Sequence, residues 1–356
     1  MFSLKTVSGQ RSAWRSTGAG KRVRACLFAG VAVVALLGAA CSRGGSAGDV
    51  AASPLVTMTL VPTPTAPAGT PTPAPTELRV AFIDLLSPIP LDKTNSEASD
   101  TYDARLALVV QQLEAFQPDI VGFNDVTTTN AHGNEGEALA TALKLEAQSV
   151  RANPWFPGQT QAQNDAIAKQ IGYAEGDMIL SRYPILKADS VWLNPRTSET
   201  EGRAALHIVV KAPGSGGTVD VYITHLTGGD EKTRTAQAEA VTKWVGKTRG
   251  RGPLLMMGDL GAGPESGAYQ AFIASGLHDL AVTDAGTNDA PANTCCRDHV
   301  VGVQPALSAR TSFVFSSGWT SEGETIFGDM AQPQPDGSVL YASDHDGLEA
   351  VFPLSQ

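Results

Sequence analysis

Cysteine is scarce in this chain, charge is sparse and bases are outnumbered, and each shortage excludes something. Four cysteines in 356 residues are too few for a disulfide-built scaffold. Lys and Arg number 26 against 36 Asp and Glu, a formal net charge of −10, which argues against holding nucleic acid by a broad basic surface. Charged residues make up only 17% of the chain and hydrophobic ones 42%. That is enough apolar side chain for a sizeable core and excludes disorder throughout.

Acidic residues are missing altogether from residues 1–40, where Lys5, Arg11, Arg15, Lys21, Arg22 and Arg24 are all basic. An uncharged run follows from Ala25 to Ser42, with an apolar centre from Leu27 to Leu37 and Gly38-Ala39-Ala40 ahead of Cys41. A basic start, an apolar stretch and small residues form a secretory signal. Small residues directly before a cysteine resemble a bacterial lipobox, although Leu37 stands one place further from Cys41 than the usual leucine. The expectation is a signal peptide over residues 1–40, with Cys41 lipidated and anchoring the protein to the cell membrane. The other reading is an uncleaved anchor helix, for which the run is just short of the roughly 20 residues a bilayer needs. Both place the remainder outside the cytoplasm, because the basic flank stays inside. Without residues 1–40 the chain keeps 26 − 6 = 20 bases against 36 acids, a net −16. Polyanions are repelled by such a protein except at a local positive site.

Residues 42–77 alternate Pro62, Pro64, Pro67, Pro71, Pro73 and Pro75 largely with Thr and Ala, so an extended, unpacked linker is expected. A single domain is expected from residue 78 to 356. Leu78–Asp84 and Asp119–Phe123 read as buried strands, with a helix over Ala104–Phe116 between them that Pro118 ends. Met178–Ser181 is a short strand, and Arg203–Lys211 with Thr218–His225 is a hairpin by its turn residues. Thr233–Lys247 reads as a helix, Leu254–Met257, Phe313–Phe315 and Leu348–Phe352 as strands. No internal repeat appears at the scale of about 20–50 residues. Many strands with few helices between them predict an α/β fold of two packed β-sheets flanked by outer helices.

Asp84, Asp125, His225, Asp259 and Asp344-His345 each stand at or just beyond the end of an apolar run. One carboxylate after a strand is most often a turn or cap. Four carboxylates and two histidines in such positions can converge on one crevice. Hard divalent cations want a few carboxylates plus water and substrate oxygens, and imidazoles can move a proton or donate to a phosphoryl oxygen. That set suits metal-assisted hydrolysis of a phosphate ester.

The order of short motifs resembles the endonuclease/exonuclease/phosphatase superfamily, the deoxyribonuclease I-like fold. The motifs are Leu78–Asp84, Gln117–Asp125, Ile179–Ile185, Gly202-Arg203-Ala204, Thr224-His225-Leu226, Arg234 with Gln237, Gly258–Pro264, Gly276–Asp279 and Ser343-Asp344-His345. The resemblance implies a four-layer α/β sandwich and hydrolysis of a phosphate ester with Mg²⁺ or Mn²⁺. It implies that Asp259 orients or deprotonates the attacking water, His345 stabilises the phosphorane, and His225 contacts the scissile phosphate. Asp84, Asp125 and Asp344 would hold the metal, and Arg203 the phosphate. The family spans nucleases, inositol-phosphate phosphatases and sphingomyelinases. The acidity of this chain favours a small phosphodiester, a lipid head group or a short oligonucleotide, acted on by a monomer.

Four positions depart from the family pattern. Asp84 replaces an asparagine, Asp125 a glutamate, Gly261 an asparagine, and Ser312 the aspartate that would orient the final histidine. A carboxylate one methylene short is displaced by about 1 Å, enough to cost 10²-fold in rate. With Ser312, His345 is expected to lack an adjacent anion supporting its charged form. The alternative function is therefore a catalytically impaired surface lipoprotein that binds or scaffolds. Cys295-Cys296 is either a vicinal disulfide or two free thiols, and without a third thiol it makes a poor metal site. His132, His207, His278 and His299 are read as structural or exposed.

Overall fold

Leu78, Val80 and Phe82 alternate with Ala81 and Ile83 in the first strand, and both sets are buried, so this strand lies inside the molecule with cover on each face. The computed structural model describes residues 75–89, 96–156, 158–194, 202–211, 217–281 and 292–354. The signal peptide, Cys41 and the linker up to residue 74 lie outside the described residues.

The strands are β1 (Glu77–Asp84), β2 (Ile120–Thr129), β3 (Gly133–Asn134), β4 (Glu146–Asn153), β5 (Tyr173–Ser181), β6 (Ile185–Trp192), β7 (Ala204–Val210), β8 (Val219–His225), β9 (Leu254–Asp259), β10 (His278–Asp279), β11 (Ser312–Ser317), β12 (Glu324–Phe327), β13 (Gln332–Pro333), β14 (Val339–Leu340) and β15 (Gly347–Pro353). The helices are α1 (Glu97–Asp100), α2 (Tyr102–Phe116), α3 (Glu135–Leu143), α4 (Gln161–Ile171), α5 (Glu231–Thr248) and α6 (Gly267–Ala274). One sheet runs β12-β15-β1-β2-β5-β4, with β3 beside β2, and the other runs β10-β11-β9-β8-β7-β6.

The two sheets pack face to face. Leu78, Val80, Phe82 and Ile179 of the first meet Leu206, Ile208, Val221, Ile223 and Met257 of the second in one dry cluster. The outer face of the first sheet buries Ala81, Ile83 and Phe123 with Val109 and Leu113 of α2 and Leu139 of α3. The outer face of the second buries Tyr222 and Met256 with Val241 and Val245 of α5 and Phe272 of α6. Helix, sheet, sheet and helix form the four-layer α/β sandwich. The expected hairpin is present as antiparallel β7 and β8. His207 is fully buried there, its Nε2 2.8 Å from Asp220 and its ring stacked on Tyr222.

What positions the site is a feature common to both sheets. Almost all pairs are antiparallel, but β1 pairs parallel to β2 and β8 parallel to β9. Each parallel pair is joined across a helix, α2 or α5, because parallel neighbours need a crossover. Asp84 ends β1, the Asn124-Asp125 pair lies alongside it on β2, and His225 and Asp259 end β8 and β9.

Candidate active site

The side chains at those strand ends meet. His225 and Asp259 are register partners across β8 and β9, as are Asp84 and Asn124 across β1 and β2. Gly258 makes the β8–β9 approach possible, since a Cβ there would lie 2.0 Å from the Thr224 carbonyl oxygen. On β2 the register shifts between Phe123 and Val126, and Asp125 adopts φ 55°. Such a bulge re-aims adjacent side chains. Asn124 turns inward, where its amide Nδ2 donates to Asp177 at 2.6 Å and its Oδ1 accepts the Asp259 N–H at 2.8 Å. One buried amide thereby ties the two sheets together directly beneath the site. Asp125 turns the other way, with Oδ1 2.9 Å from His225 Nδ1 and 4.0 Å from the Arg203 guanidinium.

Asp259 is held from several sides. Its Oδ2 accepts the Thr311 hydroxyl at 2.6 Å and the Ser312 hydroxyl at 3.3 Å, and its Oδ1 accepts the Gly261 N–H at 2.5 Å. His345 Nδ1 stands 3.3 Å from the same Oδ2, and His225 Nε2 stands 3.9 Å from Asp84. Ligand atoms of Asp84, Asp125 and His225 lie within 4.8 Å of one another, as do those of Asp84, Asp259 and His345. Asp84 is common to both groups.

A sequence profile of the Endonuclease/Exonuclease/phosphatase family matches residues 94–345, more than half of the chain. The chain belongs to this family. Solved structures agree on the fold. An endonuclease/exonuclease/phosphatase family protein from Bacteroides thetaiotaomicron superimposes with TM-score 0.59 at 16% identity, covering 79% of this chain and 99% of the other. The human Nocturnin catalytic domain with bound sulfate gives 0.55 at 19% identity, covering 79% and 95%. The mannosyl-6-phosphatase of B. thetaiotaomicron gives 0.56 at 17% identity, covering 77% and 98%. No curated protein matches the chain by sequence.

Within this family member the departures acquire physical reasons. Asp125 occupies left-handed backbone, which aspartate tolerates better than longer side chains. Gly261 has φ 63°, and a Cβ there would lie 2.8 Å from the Thr227 carbonyl oxygen, so a side chain is disfavoured at this position, while its N–H donates to Asp259 at 2.5 Å. The expectation that His345 lacks a neighbouring anion is corrected. Ser312 supplies none, but Asp259 itself stands beside the ring. Asp344 is the remaining acid of the expected set. Among the described residues it belongs to neither ligand group, its backbone oxygen accepts the Arg297 N–H, and its charge acts on Asp84.

The charges are unevenly placed. Burial and then the charges of Asp125, Asp259 and Asp344 push the Asp84 carboxyl well above the usual range, against Arg203. Burial would also raise Asp259, but His345, His225, the Thr311 hydroxyl and the Gly261 N–H outweigh it and hold it low. Burial likewise opposes ionisation of Asp125, which His225 and Arg203 nevertheless hold low. Burial and Arg203 would discharge His225, yet Asp125 and Asp259 raise it. The site thus has two carboxyl groups held low, a histidine pushed up and one acid, Asp84, frustrated by burial and by its neighbours. Asp84 Oδ1 is buried without a hydrogen-bond partner. A divalent cation bound there would remove the frustration, so the donor set fits a hard metal.

Asn124 and Asp177 carry no strand-end signature, and sequence reasoning passed over them. Asn124 is hidden beside Asp125, and Asp177 opens the apolar run Met178–Leu180 inside β5. Thr294, whose hydroxyl accepts the backbone N–H groups of both Thr311 and Ser312 at 3.1 Å, has no sequence signal at all. Asp177 is fully buried, and burial first, then the Asp125 charge, raise it to about 7 despite His225, Arg203 and the Asn124 amide. A carboxyl whose folded value lies above its unfolded one contributes stability at low pH that is lost as the pH rises. Asp177→Asn should therefore match the parent near pH 4 and exceed it increasingly up to about pH 7, by at most about 4 kcal/mol. Urea unfolding at three pH values checks this, and a pH-independent difference would contradict it.

Proposed function

We propose that this protein is an extracytoplasmic hydrolase of phosphate esters, tethered to the membrane through Cys41, acting as a monomer with Mg²⁺ or Mn²⁺. The observation that carries the reading is the convergence of Asp84, Asp125 and Asp259 with His225 and His345 at one edge of the sandwich. Asp84 and Asp125 would hold the cation, with Asp344 adding negative charge behind Asp84. A bound cation would supply positive charge to the non-bridging phosphate oxygens.

The remaining work falls to the chain. Asp259 is ionised and fixed by three hydrogen bonds, so it is placed to take a proton from an attacking water. His345 adjoins it and can donate to the oxygens of the pentacoordinate phosphorus. His225, whose pKa Asp125 raises, and Arg203 bring hydrogen-bond donors to the site of an otherwise acidic protein, where the scissile phosphate would sit. A sulfate bound in the Nocturnin structure and the phosphatase named among the similar structures support a tetrahedral oxyanion as ligand. The net −16 of residues 41–356 favours a small phosphodiester, a lipid head group or a short oligonucleotide over long DNA.

The test is release of product from aryl phosphomonoesters and diesters by the purified protein with Mg²⁺, with Mn²⁺ and with EDTA. Turnover with either metal, abolished by EDTA, is expected. Equal background from the parent and Asp259→Ala would defeat the hydrolase reading and favour a binding lipoprotein.

A further inference from the structure

Cys295 and Cys296 take no part in the machinery described so far, yet they touch it. Their sulfurs are joined in a disulfide. The segment is held firmly: Cys295 exchanges backbone hydrogen bonds with Ala309 at 2.9 and 3.2 Å, and the Arg297 N–H donates to the Asp344 oxygen at 2.9 Å. The Arg297 guanidinium also pairs with buried Asp346. These contacts fix the cysteines against the segment that carries His345. Cys296 is exposed, and its Sγ stands 3.4 Å from His345 Nε2. One ligand atom from each of Cys295, Cys296 and His345 lies within 4.8 Å of the others.

The opposite edge of the imidazole matters equally. His345 Nδ1 stands 3.3 Å from the Asp259 carboxylate without a hydrogen bond to it, and the other ring nitrogen, Nε2, faces the Cys296 sulfur at 3.4 Å, so a cation ligated by Nε2 would leave the ring proton on Nδ1 beside Asp259. A carboxylate behind a histidine is the arrangement that fixes tautomer and orientation in metal centres. Two neighbouring thiols alone are a poor cation site. With an imidazole nitrogen on the third side the donor set becomes two sulfurs and one nitrogen, which suits Zn²⁺ and not Mg²⁺. In a disulfide neither sulfur is a thiolate, and only the thiolate is a good ligand.

We propose that reduction of the Cys295–Cys296 disulfide creates a Zn²⁺ site formed by both thiolates and His345 Nε2, and that filling it withdraws His345 from the phosphoester centre. The second half rests on the hydrolase reading, whereas the first does not. The reduction consumes two electrons. With a water-soluble phosphine as reductant, phosphorus attacks one sulfur, the S–S bond breaks, water oxygen ends on phosphorus as the phosphine oxide, and the two water protons go to the two thiols. Binding of Zn²⁺ then releases both thiol protons. The oxygen donors of Asp84 and Asp125 are untouched by these steps.

The full-length protein in detergent, titrated anaerobically with Co²⁺ before and after phosphine treatment, tests the site without any enzyme assay. Expected is a thiolate-to-cobalt charge-transfer band that saturates at one equivalent only after reduction and disappears when Zn²⁺ displaces Co²⁺. Cys296→Ser should lose the band. His345→Ala should keep a weaker band with Co²⁺ affinity lowered at least about tenfold. No reduction-dependent band, or unchanged affinity in His345→Ala, would overturn the site. Turnover that persists in the reduced, Zn²⁺-saturated parent would overturn the inhibitory half. A protein that binds Co²⁺ after reduction but shows no turnover in its oxidised form with Mg²⁺ or Mn²⁺ would sink the hydrolase reading together with that half, and leave the metal site standing.

Discussion

Asp259→Asn is expected to lower kcat for phosphoester hydrolysis by about 10³-fold while leaving KM within a few-fold of the parent, the loss characteristic of a general base. The substitution preserves shape but removes the group that takes the proton. The parent carboxylate is ionised because His345, His225, Thr311 and the Gly261 N–H overcome its burial. Its acceptor role is already directed, since Oδ1 faces one N–H and Oδ2 faces two hydroxyls. In the variant one of those donors confronts an NH₂ group, so some loss of positioning adds to the loss of basicity. The pH profile separates the two. Because Asp259 is held low, parent activity measured with the cation saturating should fall on the acid side only as the pH passes below the ordinary carboxylate range. The residual activity of the variant should lack that limb. A variant within about tenfold of the parent would remove Asp259 from the role of base.

Asn124→Leu is expected to cost about 2–6 kcal/mol of stability, a large share of the 5–15 kcal/mol typical of a folded domain. Asn124 is wholly buried between the sheets. Leucine would leave the Asp259 N–H and the Asp177 carboxylate without partners, and a buried group left so costs about 1–3 kcal/mol, more when it is charged. Denaturant unfolding should show a lower midpoint at unchanged slope. Part of the loss should return in the Asn124→Leu, Asp177→Leu double variant, because removing both partners costs less than orphaning one. Additive losses would show that Asn124 and Asp177 are energetically independent, against the bridge seen between them.

Where the chain's local composition carries the information, the reading from sequence holds. Leu78–Asp84, Ala104–Phe116, Thr218–His225 and Leu254–Met257 are strands and helix where apolar periodicity places them, because each must bury its apolar side chains whatever it packs on. Shorter or more polar elements were missed. β4, with the pattern Glu146-Ala147-Gln148-Ser149, is exposed over its first half, and α4 is largely polar outside a buried Asn164 and Ala168. Their places are settled by neighbours, chiefly β5 for β4.

The site divides in the same way. Residue types at strand ends announce Asp84, Asp125, His225, Asp259 and His345, since an apolar run that stops at a charged group is visible in one dimension. The partners are not visible there. Asn124 reaches Asp177 across 53 positions and Asp259 across 135, and Cys296 reaches His345 across 49. The carboxylate beside His345 is a residue that local motif reading assigned a different task. Composition and order thus determined the layers, the family and the kinds of group at the edge. Which acid is frustrated, which is ionised and which sulfur meets which nitrogen were decided only when two parallel strand pairs brought their ends together, because charge and hydrogen bonding depend on distance in space and not along the chain.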